Sequence, residues 1–305
     1  MANNYLQFKS VLEGFGCEVK ADEPMKNHTS FKIGGSADLF VTVNDKEQLK
    51  AAIDVFKENG VPLFVLGNGS NLLVSDKGIR GAVLRLSGEF CDIGWNDDGT
   101  LHCGAGAQLS KLCAFALEHS LTGLEFAWGI PGSCGGAAFM DAGAYGGEMR
   151  DVVVACEHVD LRTGECGRFE GEKLDFAYRH SVYSGGGYVI TALHLQLEKG
   201  DKQEIRAKMD ELMGRRKDKQ PLEYPSAGSI FKRPAGYFAG GLIEQCGLKG
   251  AQVGGAQVSP KHAGFIVNVG GATCDDVLGL IGMIQKKVRD DTGVELECEV
   301  RKTGE

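Results

Sequence analysis

Proline is scarce in this chain, 7 residues in 305, and tryptophan scarcer at 2. No apolar run reaches the roughly 18 residues that a membrane-spanning helix needs, and the start, MANNYLQFKS, has no charged segment leading into an apolar stretch. A cytoplasmic protein with no membrane partner is therefore expected. A broad basic surface is lacking too: 33 Lys and Arg stand against 41 Asp and Glu, a formal net charge of -8. Nucleic-acid-binding domains are basic, so no nucleic-acid partner is expected, although a small polyanion remains compatible if cations are gathered locally. Paired metal-ligand motifs are also missing. The 10 cysteines include no CxxC and the 7 histidines no HExxH, so no metal is expected. In a reducing compartment the thiols read as small buried hydrophobes rather than disulfides.

What the chain has in excess is glycine, 45 residues, roughly twice the usual share and without a repeat. Such glycines are placed where φ must be positive or where backbone must come close to another group. With 24% charged and 43% hydrophobic residues, the composition is that of a globular protein of two or three domains. An amphipathic helix is predicted over 3–15 with Tyr5, Phe8, Leu12 and Phe15 on one face, and a strand over Ser36 to Val43. Asn44 or Asp45 should then cap a helix bearing Leu49, Ile53 and Phe56, with Gly60 at its end, followed by a buried strand over 61–66. This strand–helix–strand opening reads as an α/β unit. Strands are predicted over 81–86 and 101–106, a helix over 110–119, a hairpin around the turn at 162–165 and a half-buried strand over 188–197. A charged helix over 198–220 should bury Ile205, Met209 and Leu212 and stop at Pro221, with the main domain boundary near residue 200. Beyond it, strands are predicted around 229–232, 264–269 and 294–301, with helices over 237–246 and 275–291.

Three segments stand out. VLGNGSNLLVSD (65–76) places Gly67, Asn68, Gly69, Ser70 and Asn71 directly after an apolar strand, where successive N–H groups, a hydroxyl and an amide suit a diphosphate. It lacks the third glycine and the helix of a dinucleotide-binding fingerprint, and by itself could be a plain turn. The segment over 128–148 holds seven glycines, so backbone can lie against a flat ligand with N–H donors available, or two small-residue surfaces can simply pack. Two such segments in an α/β region favour a dinucleotide cofactor. In LEYPSAGSIFKRP (222–234), Ser229 is read at the start of an apolar strand, with no adjacent histidine and no nucleophile elbow. Arg179 in FAYRHSVY (176–183) is flanked by aromatic rings. Strand alternation over 294–301 sets Glu295, Glu297, Glu299 and Arg301 opposite Leu296, Cys298 and Val300.

HTSFKIGGSADLFV (28–41), GNGSNLLVSD, GIPGSCGGAAFMDAGAYGGE, FAYRHS, PSAGSIFKRP, GLKGAQVGGAQVSPKHAGFIVN (247–268) and the terminal EVR occur in one order. Together they resemble the UDP-N-acetylenolpyruvoylglucosamine reductase family, over about residues 28 to 303, in its shorter type II form. The resemblance implies an α/β (α+β) protein, with a lead-in over 1–30, an FAD-binding domain of the vanillyl-alcohol-oxidase (PCMH) type in two α/β subdomains over 31–198, and a C-terminal α+β substrate domain over 199–305. It implies FAD contacts at Gly67 to Asn71 and at Gly132, Ser133, Gly136, Ala142 and Gly143. The flavin should be noncovalent, because GNGSN holds no histidine to link it. Two positions depart from the family pattern: Cys134, where Val is expected, and Asp141, where Asn is expected. The second exchanges an amide donor for a possible charge.

The resemblance further implies reduction of an enolpyruvyl ether to a lactyl ether in peptidoglycan precursor synthesis, with NADPH as cosubstrate and a UDP-sugar enolpyruvyl substrate. Ser229 would protonate the carbon bearing the ether oxygen, while Arg179 and Glu299 would stabilise the developing enolate. Glu299 should then carry its proton in the substrate complex. Arg216, from the basic run GRRKDK (214–219), is expected to face flavin or substrate. Tyr178, Lys232 and Arg301 are further substrate candidates, and His262 is either a site residue or a buried hydrogen-bonding one. A monomer or weak oligomer is expected. The alternatives are another flavin dehydrogenase or oxidase of the same fold, and a noncatalytic flavin-binding protein.

Overall fold

The computed structural model describes residues 5–305; positions 3 and 4 of the expected first helix lie outside the described residues. The fold is mixed α/β, with seven α-helices among the described residues. They are α1 (Gln7–Gly14), α2 (Lys46–Glu58), α3 (Leu109–Glu118), α4 (Cys134–Phe139), α5 (Lys202–Lys219), α6 (Ala239–Gln245) and α7 (Cys274–Thr292). Two compact units form, each from three stretches of chain. The first contains the chain up to Ala21, Asp38–Asn68 and Gly81–Arg215; the second contains Asp22–Ala37, Gly69–Arg80 and Arg216–Glu305.

A four-stranded sheet has the order Glu18–Pro24, Ser36–Val43, Ile79–Leu86, Leu63–Leu66. The two strands of the strand–helix–strand opening are therefore not neighbours, because Ile79–Leu86 is inserted between them and runs parallel to Leu63–Leu66. Helix α2 connects them as its sequence dictates. Asp45 caps it by accepting from the Gln48 N–H at 2.8 Å, Leu49, Ile53 and Phe56 are buried, and Gly60 takes φ +61 after its end. In α1, Phe8 and Leu12 are buried, but Phe15 is 57% exposed because it falls past the last turn.

A second, five-stranded antiparallel sheet has the order Cys166–Glu170, Val153–Asp160, Tyr188–Leu195, Leu101–Gly104, Ile93–Trp95. Tyr188–Leu195 was expected to be half buried and is instead buried at all but two positions. It is the central strand, α4 packs on it, and its apparent polar face carries His194, whose ring is paired with Glu157 and Asn96 at 2.9 Å each. Most of the cysteines are buried as small hydrophobes, but Cys166, opening the edge strand, is exposed.

The second unit has a four-stranded sheet in the order Ser226–Ser229, Phe265–Asn268, Ala256–Val258, Gln252–Val253, plus the parallel pair Arg301–Thr303 with Leu72–Val74. Its core is built on Val277, Leu280, Ile281, Ile284 and Val288 of α7. Thr273 and Asp276 form a capping box at the start of that helix, and Gly293 ends it at φ +74. Asp76 adds a second cap, accepting from the Cys274 and Asp275 N–H groups at 2.8 and 3.1 Å. The glycine pair near 250 is structural. Gly254, at φ +50, and Gly255 turn the hairpin between Val253 and Ala256, and the Gly255 N–H donates to Asp276 at 3.2 Å.

Two strand expectations shift. The strand placed around 229–232 occupies Ser226–Ser229, so Ser229 ends it rather than starting it. Residues 294–300 form no continuous ladder. Their partner segment gives them only a bridge between Phe231 and Cys298 and bonds to Ile230 and Lys232, and regular pairing begins at Arg301. Asp76→Ala should lower stability by about 1 kcal/mol through loss of the α7 cap, read as a reduced midpoint in urea unfolding.

Candidate functional site

Two of the glycine segments meet in the first unit. Strand Leu63–Leu66 delivers Gly67 and Asn68, both exposed, and among the described residues no acceptor in the chain meets their N–H groups. A Cβ on Gly67 would stand 2.5 Å from Ser133 Oγ, so the absent side chain is what lets the two segments adjoin. The segment over 132–136 is used differently from expectation. Ser133 is buried and caps α4, accepting from the Gly136 N–H at 3.2 Å. The Cys134 and Gly135 N–H groups bond to Ala107 and Ala105 carbonyls, each at 2.8 Å, and the Leu109 N–H donates to Gly132 at 2.9 Å. The helix's first donors are thus spent on the protein. Cys134 is fully buried, and its neighbour Cys103 together with burial keeps its thiol well above the ordinary range.

After α4 the chain reverses at Asp141, φ +44, and runs into Ala142, whose N–H donates to Ala137 at 2.9 Å. Gly143 then pairs with Glu148 in a short hairpin. Elsewhere in this unit, Ala177 and His180 exchange backbone hydrogen bonds of 3.1 and 2.8 Å, leaving Tyr178 and Arg179 at the tip of a two-residue turn. Arg179 has φ +58, and its guanidinium lies 5.0 Å from the centre of the Tyr178 ring. A non-glycine residue in the left-handed region is strained, and such strain concentrates at functional positions. The cation–π contact holds the guanidinium at the turn.

The second unit gathers five of the predicted residues. The Glu299 N–H donates to the Ile230 carbonyl at 2.8 Å, next to Ser229, and Asn71 Nδ2 donates to the Glu299 carbonyl at 3.1 Å. The Arg301 N–H donates to the Asn71 carbonyl at 3.0 Å, and Lys232 meets Glu297 through its backbone at 2.8 Å and its ammonium at 2.5 Å. Lys232 is thereby half of an ion pair. Gly228, at φ +75, sits in the irregular pairing between Ser226 and Ser229. Gly69, at φ +61, could carry no side chain, since a Cβ would fall 2.1 Å from the His28 carbonyl oxygen. Arg216 is buried and donates to Gln220 at 3.2 Å. His262 accepts from the Gly264 N–H at 3.1 Å and lies edge-on to Phe265, and burial pushes its pKa down, all consistent with a positioning role inside its own loop.

Residue reasoning assigned nothing to Ser30, yet its hydroxyl donates to the Ser226 carbonyl at 2.6 Å and so anchors the strand that ends at Ser229. Its one sequence signal is the HTSF run over 28–31. Among the described residues, no group of three or more His, Cys, Asp or Glu could hold a metal ion, and no helix is long and apolar enough to cross a membrane.

Residues 37–170 match the model of the FAD binding domain, which places the chain in the class of FAD-binding flavoproteins. Residues 220–303 match the UDP-N-acetylenolpyruvoylglucosamine reductase C-terminal domain. Proteins named UDP-N-acetylenolpyruvoylglucosamine reductase are similar along nearly the whole chain: that of Alkaliphilus oremlandii is 53% identical over 94% of both chains. That of Clostridium novyi is 49% identical over 94% of this chain and 93% of its own. The crystal structure of UDP-N-acetylenolpyruvylglucosamine reductase from Thermus caldophilus superposes with a TM-score of 0.80 at 38% identity, covering 94% of this chain and 99% of that one. The chain belongs to the UDP-N-acetylenolpyruvoylglucosamine reductase family.

A flavin dinucleotide fits the donor set, because unengaged, exposed N–H groups at Gly67 and Asn68 suit a diphosphate. Gly67→Ala would press on the Ser133 hydroxyl and move that loop. It should weaken FAD retention about tenfold, equivalent to an overpacking cost of about 1.4 kcal/mol, measured by flavin fluorescence released on dilution.

Proposed function

We propose that the protein reduces the enolpyruvyl ether of UDP-N-acetylenolpyruvoylglucosamine to the lactyl ether of UDP-N-acetylmuramate, with two electrons from NADPH, in peptidoglycan precursor synthesis. FAD, held noncovalently, would supply the two-electron hydride chemistry that links NADPH to the substrate's methylene carbon. Gly67, Asn68, Gly69, Ser70 and Asn71 would bind its diphosphate, with Gly132, Ser133, Gly136, Ala142, Gly143 and Arg216 as further contacts. Since Ser133 and Gly136 bond to each other, their part is to shape the surface rather than to donate their capping bond.

Addition at the methylene carbon drives charge into the carboxylate as an enolate. Arg179 stabilises that charge from its strained turn, and Glu299 does so by a hydrogen bond while it keeps its own proton. Ser229 gives its hydroxyl proton to the carbon bearing the ether oxygen. A hydroxyl is a weak acid, but an enolate is a strong base, and fixed geometry makes the transfer practicable. Tyr178, Lys232 and Arg301 are assigned to the nucleotide sugar. The observation that carries the Ser229 and Glu299 assignments is their common anchor at Ile230, whose own carbonyl accepts from Glu299. The enzyme acts in the cytoplasm as a monomer or weak oligomer.

The test is anaerobic. NADPH should bleach the flavin, and only the enolpyruvyl nucleotide should restore the oxidised spectrum; reoxidation by a simple alcohol or ketone instead would point to another dehydrogenase of this fold. Ser229→Ala should leave bleaching by NADPH unchanged while slowing reoxidation by about 10²–10⁴-fold, the usual range for a lost general acid. Glu299→Gln should alter the pH profile of reoxidation, and a profile matching wild type across neutral pH would remove Glu299 from its role.

A further inference from the structure

Among the described residues, Asp141 is the only carboxylic side chain that is buried, at 0% exposure. It occupies the left-handed region at φ +44, which Asp and Asn tolerate better than other side-chain-bearing residues. Its Oδ1 accepts from the Arg150 N–H at 2.9 Å. Its Oδ2 and the Oε2 of Glu148 are buried oxygens that no N–H or O–H donor of the chain reaches, and both carboxyl groups lie within ion-pair distance of the one Arg150 guanidinium. Arg150, 41% exposed, donates to Glu148 Oε1 at 2.6 Å and keeps its Nε 3.6 Å from Asp141 Oδ2, an ion-pair distance but a poor hydrogen bond. One half-exposed arginine thus serves two carboxyl groups.

Two carboxylates gathered on one arginine, one of them wholly out of water, cannot both ionise cheaply, and each unmet buried oxygen adds its own desolvation cost. One proton set between the two orphaned oxygens removes both penalties. We propose that Asp141 and Glu148 act as a single proton-sharing pair, with Asp141 Oδ2–H donating to Glu148 Oε2, and that this bond positions the Ala142–Gly147 turn for the flavin. The flavin clause rests on the function proposed above, whereas the shared proton does not.

The pairing accounts for Asp141 where the family pattern leads one to expect Asn. A protonated carboxyl and a carboxamide have the same shape, and each offers one acceptor, here for the Arg150 N–H, and one donor, here for Glu148. The charged groups facing Asp141 are Glu148 and Arg150; Asp151, which accepts from the Glu148 N–H at 2.8 Å, faces Arg150. Burial first, then the Glu148 charge, push the Asp141 carboxyl up to about 6, against the pull of the Arg150 N–H. The folded protein therefore keeps a proton that the unfolded chain, at about 3.9, gives up. The contribution of this group is fully present below pH ~4, declines as pH rises through about 6, and is flat above.

The experiment compares the FAD-loaded protein with its Asp141→Asn and Asp141→Ala variants between pH 4.5 and 8. Asn cannot titrate, so the melting temperature of wild type should fall by a few degrees relative to Asp141→Asn as pH rises, then run parallel above about 7. At pH 5.5 the infrared difference spectrum of wild type minus Asp141→Asn should contain a protonated-carboxyl C=O stretch, and it should vanish by pH 8. A pH-independent difference in melting temperature, or no such band, would overturn the shared proton. For the positioning claim, Asp141→Asn should retain FAD as wild type does and Asp141→Ala should lose it about tenfold faster. Equal retention by both variants, with the band present, would overturn the positioning claim alone, and a protein that binds no FAD at all would instead overturn the function on which it rests.

Discussion

Three backbone hydrogen bonds hold the glycine-rich end of the first unit together. The carbonyls of Ala105 and Ala107, just past strand Leu101–Gly104, accept from the first two N–H groups of α4, and Gly132 accepts from Leu109. This lacing fixes Ser133 at the mouth of the helix, and Ser133 in turn sets how near Gly67 can come. It also demands small residues, since a Cβ on Gly135 would lie 2.7 Å from Ala105 Cβ. Glycine here answers two needs. Some positions close the protein's own backbone contacts, and others, such as Gly67, leave a loop with donors turned outward.

The second unit shows the same economy with polar groups. Asn71 is read from its loop as a donor for phosphate, yet its side-chain amide is also engaged with the Glu299 carbonyl and its own carbonyl with the Arg301 N–H. A single residue thereby couples the loop to the chain's terminal segment. Any shift of that loop would reach the Glu299 backbone through one hydrogen bond. The chemistry assigned to Glu299 needs this kind of fixed placement, because a carboxyl hydrogen bond to a developing charge loses its value quickly with distance and angle.

Elements with strong local signals were legible in the sequence. Helix α2 was readable because Asp45, three apolar positions at helical spacing and Gly60 all agree, and α7 because its apolar periodicity runs from Cys274 to Val288, about four turns. What failed to show was set by distant partners. Glu18–Pro24 and Leu72–Val74 carry weak patterns of their own and become strands only by joining Ser36–Val43 and Arg301–Thr303. The alternation of Tyr188–Leu195 suggested a wetted face because His194 is polar, and its burial depends on Glu157 and Asn96, which lie far off in sequence. At the candidate site, residue types and motif order named Ser229, Glu299, Arg179 and the glycine loops. The capture of the α4 donors by Ala105 and Ala107 was not visible, since backbone partners leave no trace in side-chain identity. Asp141 was visible as an oddity, and only its burial, with an unmet Oδ2 beside the Arg150–Glu148 pair, gives it a chemical meaning.

The interleaved connectivity of the two units bears on how the protein is made. Residues Asp22–Ala37 and Gly69–Arg80 are synthesised early, but the bulk of the unit they belong to begins at Arg216. At ribosomal rates of roughly 5–20 residues per second, the second of these stretches waits on the order of ten seconds for its partners. During that interval Leu73 and Phe31, both fully buried in the finished core, have nowhere native to go. The first unit can gather its three stretches once Arg215 has emerged, whereas the second cannot close until the last strand leaves the ribosome. Emergence of Arg301–Thr303, rather than any earlier step, is then the event that lets the second unit close.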